Sequence, residues 1–254
     1  MPWDPEKYNQ FKNIRYQPFF DLMEMISEEG IKNGIDIGCG TGEQTGILAK
    51  RFENAEFSGI DPSPEMLAKS KEFTRKNLHF QNGTVEEFVR TKQKWDLIFS
   101  NAALQWSDHH KQLFPRLISL VNDNGQFAVQ MPMQKENLLN KILIDLVQEK
   151  PFVDFLQGWR REPSTLSIDE YAQIMFDGGL KQIQIVQKVY PIIADDPEKL
   201  FDFISGSALI PYLERLSESR QKIFISEYKN RIEKTFKKFP AIYAFKRLLL
   251  YGKK

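Results

Sequence analysis

A glycine-rich segment in the first fifth of the chain carries the clearest chemical signal in the sequence. Gly38, Gly40 and Gly42 alternate with other residues in the run Asp-Ile-Gly-Cys-Gly-Thr-Gly, which begins at Asp36. Glycines in this spacing let the backbone turn tightly and approach a ligand closely, because no Cβ stands in the way. A helix that starts directly after such a loop offers free amides to a carboxylate or a phosphate. The segment is therefore a candidate cofactor-binding loop.

The residue that follows this loop separates two classes of cofactor. The dinucleotide fingerprint G-x-G-x-x-G needs its third glycine at the position of Glu43. A glutamate there would bring a carboxylate close to a pyrophosphate, and the two negative charges repel each other. The loop instead suits a cofactor with an amino-acid tail and no phosphates. Asp36 could then accept hydrogen bonds from the positively charged amino group of that tail.

Asp61 is the second candidate cofactor residue. It stands at the end of a predicted strand, 19 residues after Gly42. A carboxylate in this place can accept hydrogen bonds from both ribose hydroxyls of a nucleoside. An isolated aspartate there could equally cap a helix, but the glycine loop upstream favours the ribose role.

Short apolar strands alternate with helical patterns around these residues, and this alternation predicts a parallel sheet with covering helices. The predicted strands cover residues 34–37, 56–60, 78–81, 96–100 and 126–131, and the predicted helices cover 45–52, 64–76 and 109–120. Ser63 is a good N-cap before Pro64, which suits a first helical turn. Residues 122–125, Asn-Asp-Asn-Gly, predict a turn.

The second half of the chain is predicted to be mostly helical. Helical patterns cover 137–149, 168–177, 199–205 and 219–238, with Gly178-Gly179 ending the second of them, and strands cover 182–190 and 243–251. Two insertions, about 132–166 and 191–240, interrupt the sheet after its fifth strand and between its last two. We predict one α/β domain over 1–254, a Rossmann-like sheet with helices on both faces and a helical cap formed by the insertions.

Motifs spread over nearly the whole chain resemble the class I S-adenosylmethionine-dependent methyltransferases, and most specifically the trans-aconitate 2-methyltransferase family. The Gly38 loop is common to many methyltransferases, whereas the blocks 101–106 and 206–211 are more specific. The matching residues are Trp3-Asp4-Pro5 with Tyr8, Arg15 with Pro18-Phe19, Asp61 with Ser63-Pro64-Glu65-Met66, Ser100 to Trp106, Gly206 to Leu209 with Pro211, and Phe239-Pro240 with Phe245 and Arg247.

The resemblance implies a set of cofactor-binding residues. These are Asp36, Gly38, Gly40, Gly42, Asp61, Ser63, Met66, Gly83, Thr84, Val85, Asn101 and Ala102. Thr84 departs from the family, which often has an aspartate there to accept the adenine amino proton. A threonine hydroxyl can also accept a hydrogen bond but carries no charge, and Glu86 is a candidate substitute for the missing carboxylate.

The resemblance also implies a small di- or tricarboxylic acid as the substrate, with trans-aconitate as the leading candidate. A polyanion needs cations and hydrogen-bond donors. The candidate substrate residues are Tyr8, Arg15, Gln105, Trp106, Tyr212, Arg215 and Arg247. Each arginine taken alone could instead form an ordinary surface ion pair, and Trp106 could belong to the core.

Methyl transfer to a carboxylate requires no general base, because a carboxylate is already ionised at neutral pH. We therefore assign no catalytic residue beyond those that bring the reactants together. His79, His109 and His110 are expected to be packed or solvated. The alternatives are a malonyl-carrier-protein thioester or another small organic acid as substrate, an adenine-directed nucleic-acid methyltransferase, which the sequence 101–104 disfavours, and a non-catalytic cofactor-binding protein.

Composition limits the remaining classes of function. The 254 residues include a single cysteine, Cys39, which excludes an intrachain disulfide and a multi-thiolate metal site. No signal sequence or long apolar run is present, so we expect a cytoplasmic protein with no metal, membrane, nucleic-acid or obligate protein partner. The net charge is +1, although residues 215–254 are strongly basic. That segment is either a solvated helix face or a surface that attracts anions.

Overall fold

The structure, a computed structural model, describes residues 12–254, apart from the side chains of Lys12 and Asn13. The described chain divides into two compact units. The sheet unit comprises Pro18–Pro132, Ser164–Lys188 and Arg247–Lys254. The helical unit comprises Met133–Pro163, Val189–Lys246 and the described residues up to Gln17.

Seven strands form one sheet in the order β3-β2-β1-β4-β5-β7-β6. Strands β1 to β5 run parallel, and β7 pairs antiparallel with β5. The strands are β1 (Asn33–Ile37), β2 (Glu56–Asp61), β3 (Leu78–Asn82), β4 (Trp95–Asn101), β5 (Val121–Pro132), β6 (Lys181–Ala194) and β7 (Ala241–Lys253). Each contains one of the seven predicted strands, so the predicted α/β class is confirmed.

The helices agree with the predicted ones except at three one-turn helices and at the first helix. They are α1 (Lys12–Glu24), α2 (Glu43–Arg51), α3 (Pro64–Ser70), α4 (Val85–Phe88), α5 (His110–Ser119), α6 (Leu138–Leu146), α7 (Phe152–Phe155), α8 (Ile168–Asp177), α9 (Pro197–Ser205), α10 (Ile210–Leu213) and α11 (Glu218–Thr235). The one-turn helices α4, α7 and α10 are too short to show a 3.6-residue apolar period, and the sequence reading did not identify them. It also missed α1, which contains Pro18.

The predicted helix caps at Ser63 and at Gly178-Gly179 are confirmed. The Ser63 hydroxyl accepts a hydrogen bond from the Met66 amide at 3.2 Å, and Pro64 is the first residue of α3. Gly178 is the C-cap of α8, and Gly179 has a positive φ of 81°. The predicted helix 64–76 ends earlier, because the chain tightens into a 3₁₀ turn at Lys71–Phe73.

The predicted turn at residues 122–125 is wrong, because this segment belongs to β5. The strand bulges there: Val121 pairs with Trp95 and Gln126 pairs with Leu97, so four residues lie opposite Asp96. Asn124 takes a φ of 64°, and the Asp96 carboxylate accepts a hydrogen bond from the Asn122 side chain at 2.7 Å. Turn-forming residues therefore build an irregularity within a strand.

Each unit has its own hydrophobic core. In the sheet unit, α1 contributes Phe19 and Leu22 to a cluster that includes Phe57, Phe99 and Tyr251 from the sheet. The helical unit packs aromatic residues from its helices and from the strand segments that belong to it; its largest members include Phe152, Phe203, Tyr212, Phe224, Tyr228 and Tyr243. The sheet core fixes the strand ends from which the candidate site projects.

Candidate active site

The glycine loop lies between β1 and α2 in the left-handed region of backbone space. Gly38, Gly40 and Gly42 have φ values of 78°, 55° and 77°. A Cβ at Gly38 would stand 2.1 Å from the Cβ of Ala103, so the loop and the end of β4 approach each other as only glycine permits. A Cβ at Gly40 would meet no atom within 4 Å in the described part of the chain. Gly38 thus serves close packing, and Gly40 faces open space.

Asp61 holds this loop from the end of β2. Its Oδ2 accepts a hydrogen bond from the Gly40 amide at 2.9 Å, and its Oδ1 accepts one from the Ser63 amide at 2.9 Å. Each carboxylate oxygen has a second lone pair, so both can still accept a hydrogen bond from a ligand hydroxyl. The structure therefore gives Asp61 a loop-fixing role in addition to the predicted ribose contact.

Asp36 is a buried carboxyl near the end of β1. Its Oδ2 accepts a 2.6 Å hydrogen bond from the Thr45 hydroxyl of α2, whereas its Oδ1 is buried and has no hydrogen-bond partner among the described residues. Burial raises the pKa of the Asp36 carboxyl to about 7; the hydrogen bond from Thr45 opposes the rise, and the negative charge of Asp61 adds to it. A cation beside Oδ1 would stabilise the ionised form.

Asn101, the last residue of β4, carries a second acceptor of this kind. Its Nδ2 donates to Gln44 Oε1 at 2.9 Å, which leaves its Oδ1 as the atom that can accept a hydrogen bond from a ligand. That Oδ1 is buried and unpaired within residues 12–254. Asp36 pairs with Phe99 across the β1–β4 ladder, and Phe99 lies two residues before Asn101, so Asp36 and Asn101 share one face of the sheet.

The segment after β3 is arranged around a helix cap. The Thr84 hydroxyl accepts a hydrogen bond from the Glu87 amide, and the Thr84 amide donates one to Glu87 Oε2 at 2.9 Å; together these form a capping box at the start of α4, and the hydroxyl also donates to Oε2. The Gly83 amide donates to the Asp61 carbonyl, which joins this segment to β2. Val85 is buried beside the cap, whereas Glu86 is exposed. The hydroxyl of Thr84 keeps one lone pair that can accept a further hydrogen bond.

The segment after β4 turns back on itself. Ala102 has a φ of 56° and donates its amide to the Gln130 carbonyl at 2.9 Å. Gln105 is buried, and its Nε2 donates to the Ala102 carbonyl at 2.6 Å, so its amide group holds this turn. Trp106 ends the 3₁₀ turn Leu104–Trp106 and is 39% exposed.

The three histidines are placed as expected from the sequence. His79 is exposed on β3. His109 is the residue before α5, in a left-handed conformation. His110 is buried, with its ring nitrogens 2.6 Å from the Tyr171 hydroxyl oxygen and 2.9 Å from the Leu104 carbonyl oxygen.

The helical unit contains three of the predicted substrate residues. Arg15 donates to the Phe203 carbonyl at 2.9 Å and lies beside Gly206, a member of one family-specific block. Tyr212 is buried, and its hydroxyl accepts a hydrogen bond from the Arg161 amide. Arg215 donates to the Pro211 carbonyl and stacks on Trp159 with its guanidinium carbon 3.7 Å from the ring centroid, so much of its binding capacity is used internally.

Arg247, in contrast, belongs to the sheet unit and lies on β7. It is buried, and its Nη2 donates to Gln130 Oε1 at 3.0 Å. Tyr8, the remaining predicted substrate residue, lies outside the described residues. Sequence reasoning missed Gln44, Thr45 and Gln130, because only the fold brings these ordinary polar residues next to the site.

Comparison with known proteins identifies the family. A family profile described as a methyltransferase domain matches residues 30–189. The trans-aconitate 2-methyltransferase of Deinococcus radiodurans is 35% identical over 255 aligned residues, which cover 98% of this chain and 97% of that protein. This chain belongs to the trans-aconitate 2-methyltransferase family of class I methyltransferases. It is a transferase that uses S-adenosylmethionine as its cofactor.

Solved methyltransferase structures share the fold. The Bacillus subtilis YcgJ protein superposes with a TM-score of 0.60 at 17% identity, covering 94% of this chain and 98% of that one. The phosphoethanolamine N-methyltransferase 2 of Haemonchus contortus, solved with S-adenosyl-L-methionine, gives a TM-score of 0.58 at 16% identity, covering 94% of this chain and 52% of that one.

The residues of the sheet unit are chemically suited to bind S-adenosylmethionine. The open side of Gly40 leaves room for a ligand, and the buried oxygens of Asp36 and Asn101 suit the ammonium group of an amino-acid tail. When bound, S-adenosylmethionine supplies an electrophilic methyl group on a sulfonium sulfur. Among residues 12–254, no group of three or more His, Cys, Asp or Glu side chains is arranged to bind a metal, and no helix is long and apolar enough to cross a membrane.

Asp61→Ala is expected to weaken binding of S-adenosylhomocysteine by about 1–3 kcal/mol, because the variant loses the ribose acceptor and leaves the Gly40 amide without its partner. Isothermal titration calorimetry of the purified variant measures the loss. Asp123→Ala, on the bulge of β5, is the matched control and should bind as the wild type does. An affinity unchanged by Asp61→Ala would show that the ribose is held elsewhere.

Proposed function

We propose that this methyltransferase transfers the methyl group of S-adenosylmethionine to a carboxylate oxygen of a small di- or tricarboxylic acid, with trans-aconitate as the leading substrate. The observation that carries the proposal is the 35% identity, over 98% of the chain, to the trans-aconitate 2-methyltransferase of D. radiodurans. The buried Arg247 beside the candidate cofactor residues supports it, because a buried guanidinium favours an anionic partner.

The proposed cofactor roles follow the atoms described above. Asp36 and Asn101 accept from the amino group of the methionine tail, and Asp61 accepts from the ribose hydroxyls. Gly38, Gly40 and Gly42 shape the loop that lies against the cofactor, and Ala102 belongs to the turn beside it. Further contacts to the nucleoside are assigned to Ser63, Met66, Gly83, Thr84 and Val85.

The proposed substrate roles fall to the residues that the family resemblance implies. Arg247 provides positive charge in the sheet unit, and Trp106 provides an exposed ring and an indole N–H. Gln105 acts by fixing the turn that carries Trp106. Arg15, Tyr212 and Arg215 are proposed contributions from the helical unit, with Tyr8 as a further candidate. No proton transfer is needed, so these residues contribute by desolvating and aligning an oxygen that is already anionic.

A malonyl-carrier-protein thioester is the less favoured substrate. Docking of an acidic carrier protein would call for a basic surface, and residues 215–254 carry the excess of basic residues. Several of those cations already have partners within the helical unit: Lys229 pairs with Glu198 at 2.6 Å, Arg231 pairs with Glu149 at 2.6 Å and with Glu227 at 3.0 Å, and Arg220 stacks on Phe155. These pairings support the interpretation of residues 215–254 as a solvated helix face rather than a surface that attracts anions.

Incubation of the enzyme with S-adenosylmethionine and a panel of acids tests the proposal. The panel contains trans-aconitate, cis-aconitate, citrate, a long-chain monocarboxylate and a malonyl thioester. Mass spectrometry should detect a methyl ester of trans-aconitate at the highest kcat/KM of the panel. Preference for the malonyl thioester, or esterification of the monocarboxylate alone, would refute the proposed substrate class.

A further inference from the structure

A row of polar side chains crosses four adjacent strands at one end of the sheet. Asn101 pairs with Gln130 in the β4–β5 ladder, and Pro132, two residues after Gln130, pairs with Arg247 of β7. Side chains on paired or next-but-one residues point to the same face of a sheet. Asp36, Asn101, Gln130 and Arg247 therefore share one face, in the strand order β1, β4, β5, β7.

Hydrogen-bonding capacity changes from acceptor to donor along this row. Asp36 and Asn101 each present a buried oxygen. Gln130 presents the opposite group: its Oε1 accepts a hydrogen bond from Arg247 Nη2 at 3.0 Å, which fixes the orientation of its amide and leaves its Nε2 as the donor that can face a ligand. That Nε2 is fully buried from solvent and has no hydrogen-bond partner within the described chain.

Gln126, also on β5, is a structural glutamine with which Gln130 can be compared. It lies four residues before Gln130 on the same face and is equally buried. Its Oε1 accepts from the Ser27 amide at 2.8 Å and from the Tyr251 hydroxyl at 2.7 Å, and its Nε2 donates to the Ser27 carbonyl at 2.8 Å. Every polar atom of Gln126 is satisfied, whereas Gln130 retains a buried donor, a costly state that a bound acceptor would relieve.

We propose that Gln130 is a substrate-binding residue: its Nε2 and the Arg247 guanidinium together donate to one carboxylate of the acid. This inference rests on the proposed function. The two groups offer the paired N–H donors that a carboxylate accepts. The carboxylate of the cofactor tail is the other possible source of an anion. The affinity of the Gln130 variants for S-adenosylhomocysteine distinguishes these two sources.

Replacement of Gln130 by methionine tests this inference, because methionine keeps the length of the side chain and removes its donor and acceptor. Gln130→Met should raise the KM for the best acid of the panel by about 10- to 100-fold, the loss of hydrogen bonds to a charged group. Calorimetric titration of the acid into enzyme saturated with S-adenosylhomocysteine should show the same loss of affinity. The affinity for S-adenosylhomocysteine itself should stay within about threefold of the wild type.

Gln126→Met is the matched control. It should lower the melting temperature, because it leaves the partly buried backbone groups of Ser27 unpaired, and it should leave the KM for the acid unchanged. Gln130→Glu is a second variant that preserves the contact with Arg247 and adds a negative charge; it should weaken acid binding further than Gln130→Met does.

The outcomes separate the inference from the proposed function. A wild-type enzyme that binds and methylates no acid would refute the proposed function and the inference with it. An active wild type whose KM is unchanged by Gln130→Met would refute the inference alone. Loss of S-adenosylhomocysteine affinity with an unchanged KM for the acid would assign the carboxylate to the cofactor and would also overturn the inference.

Discussion

Asp36→Asn is expected to raise the free energy of unfolding at pH 8 by up to about 4 kcal/mol in the ligand-free protein and to change it little at pH 4. The pKa of the carboxyl rises from its ordinary 3.8 to about 7, mainly because the group is buried. Between those pH values the folded protein keeps a proton that the unfolded chain has released, so the stability of the wild type falls as pH rises. Three pKa units correspond to about 4 kcal/mol. Asparagine is neutral throughout and removes this pH dependence.

Chemical denaturation at a series of pH values measures the Asp36 effect. Asp96→Asn is an informative control, because it should change the free energy of unfolding at pH 8 in the opposite direction. Partial burial of Asp96 favours the neutral acid, but hydrogen bonds from Asn122 and from the amides of Lys32 and Asn33 lower the pKa of its carboxyl. The stability that Asp96 contributes is present above the pKa of the unfolded chain and is lost as pH falls, so its asparagine variant should lose stability at pH 8. Curves of stability against pH that run parallel for the wild type and Asp36→Asn would contradict the raised pKa of the Asp36 carboxyl.

Two glycine substitutions are expected to separate folding from cofactor binding. Gly38→Ala should lower the free energy of unfolding by about 2–5 kcal/mol, because a Cβ would stand 2.1 Å from the Cβ of Ala103 at a φ of 78°. Gly40→Ala should cost only about 1 kcal/mol of stability, since its Cβ meets no described atom within 4 Å. The same Cβ would occupy the space proposed for the cofactor, so S-adenosylhomocysteine affinity should fall at least about tenfold.

Thermal melts and calorimetry on the two variants provide the comparison. Gly30→Ala is a suitable control, because Gly30 also has a positive φ with open space around it but lies before β1, away from the loop. It should show the small stability loss of Gly40→Ala without the loss of binding. Equal S-adenosylhomocysteine affinity in Gly40→Ala and the wild type would place the cofactor away from the loop.

The candidate cofactor residues could be located from the sequence because their signals are local. The loop around Gly38 and Gly40 is defined by spacing, and Asp61 by its position at the end of a strand. Apolar runs bounded by polar residues located all seven strands. The cap at Ser63 needed only the residues next to it.

The remaining features depend on contacts between distant parts of the chain. Residues 122–125 form a bulge because Asp96, far away in sequence, binds Asn122. The role of Gln130 depends on the register of β5 with β4 and β7, which determines that its side chain meets Arg247. Residue types alone do not distinguish Gln130 from Gln126, because the difference lies in which partners the fold supplies.

Transfer of an isotopically labelled methyl group to trans-aconitate tests the central claim most directly. The enzyme is incubated with trans-aconitate and S-adenosylmethionine labelled in its methyl carbon, and the product is then hydrolysed with alkali. Ester formation predicts that the label enters trans-aconitate and that alkali releases it as methanol. Label that stays on a carbon of the acid after hydrolysis, or no transfer to any acid of the panel, would contradict carboxylate methylation.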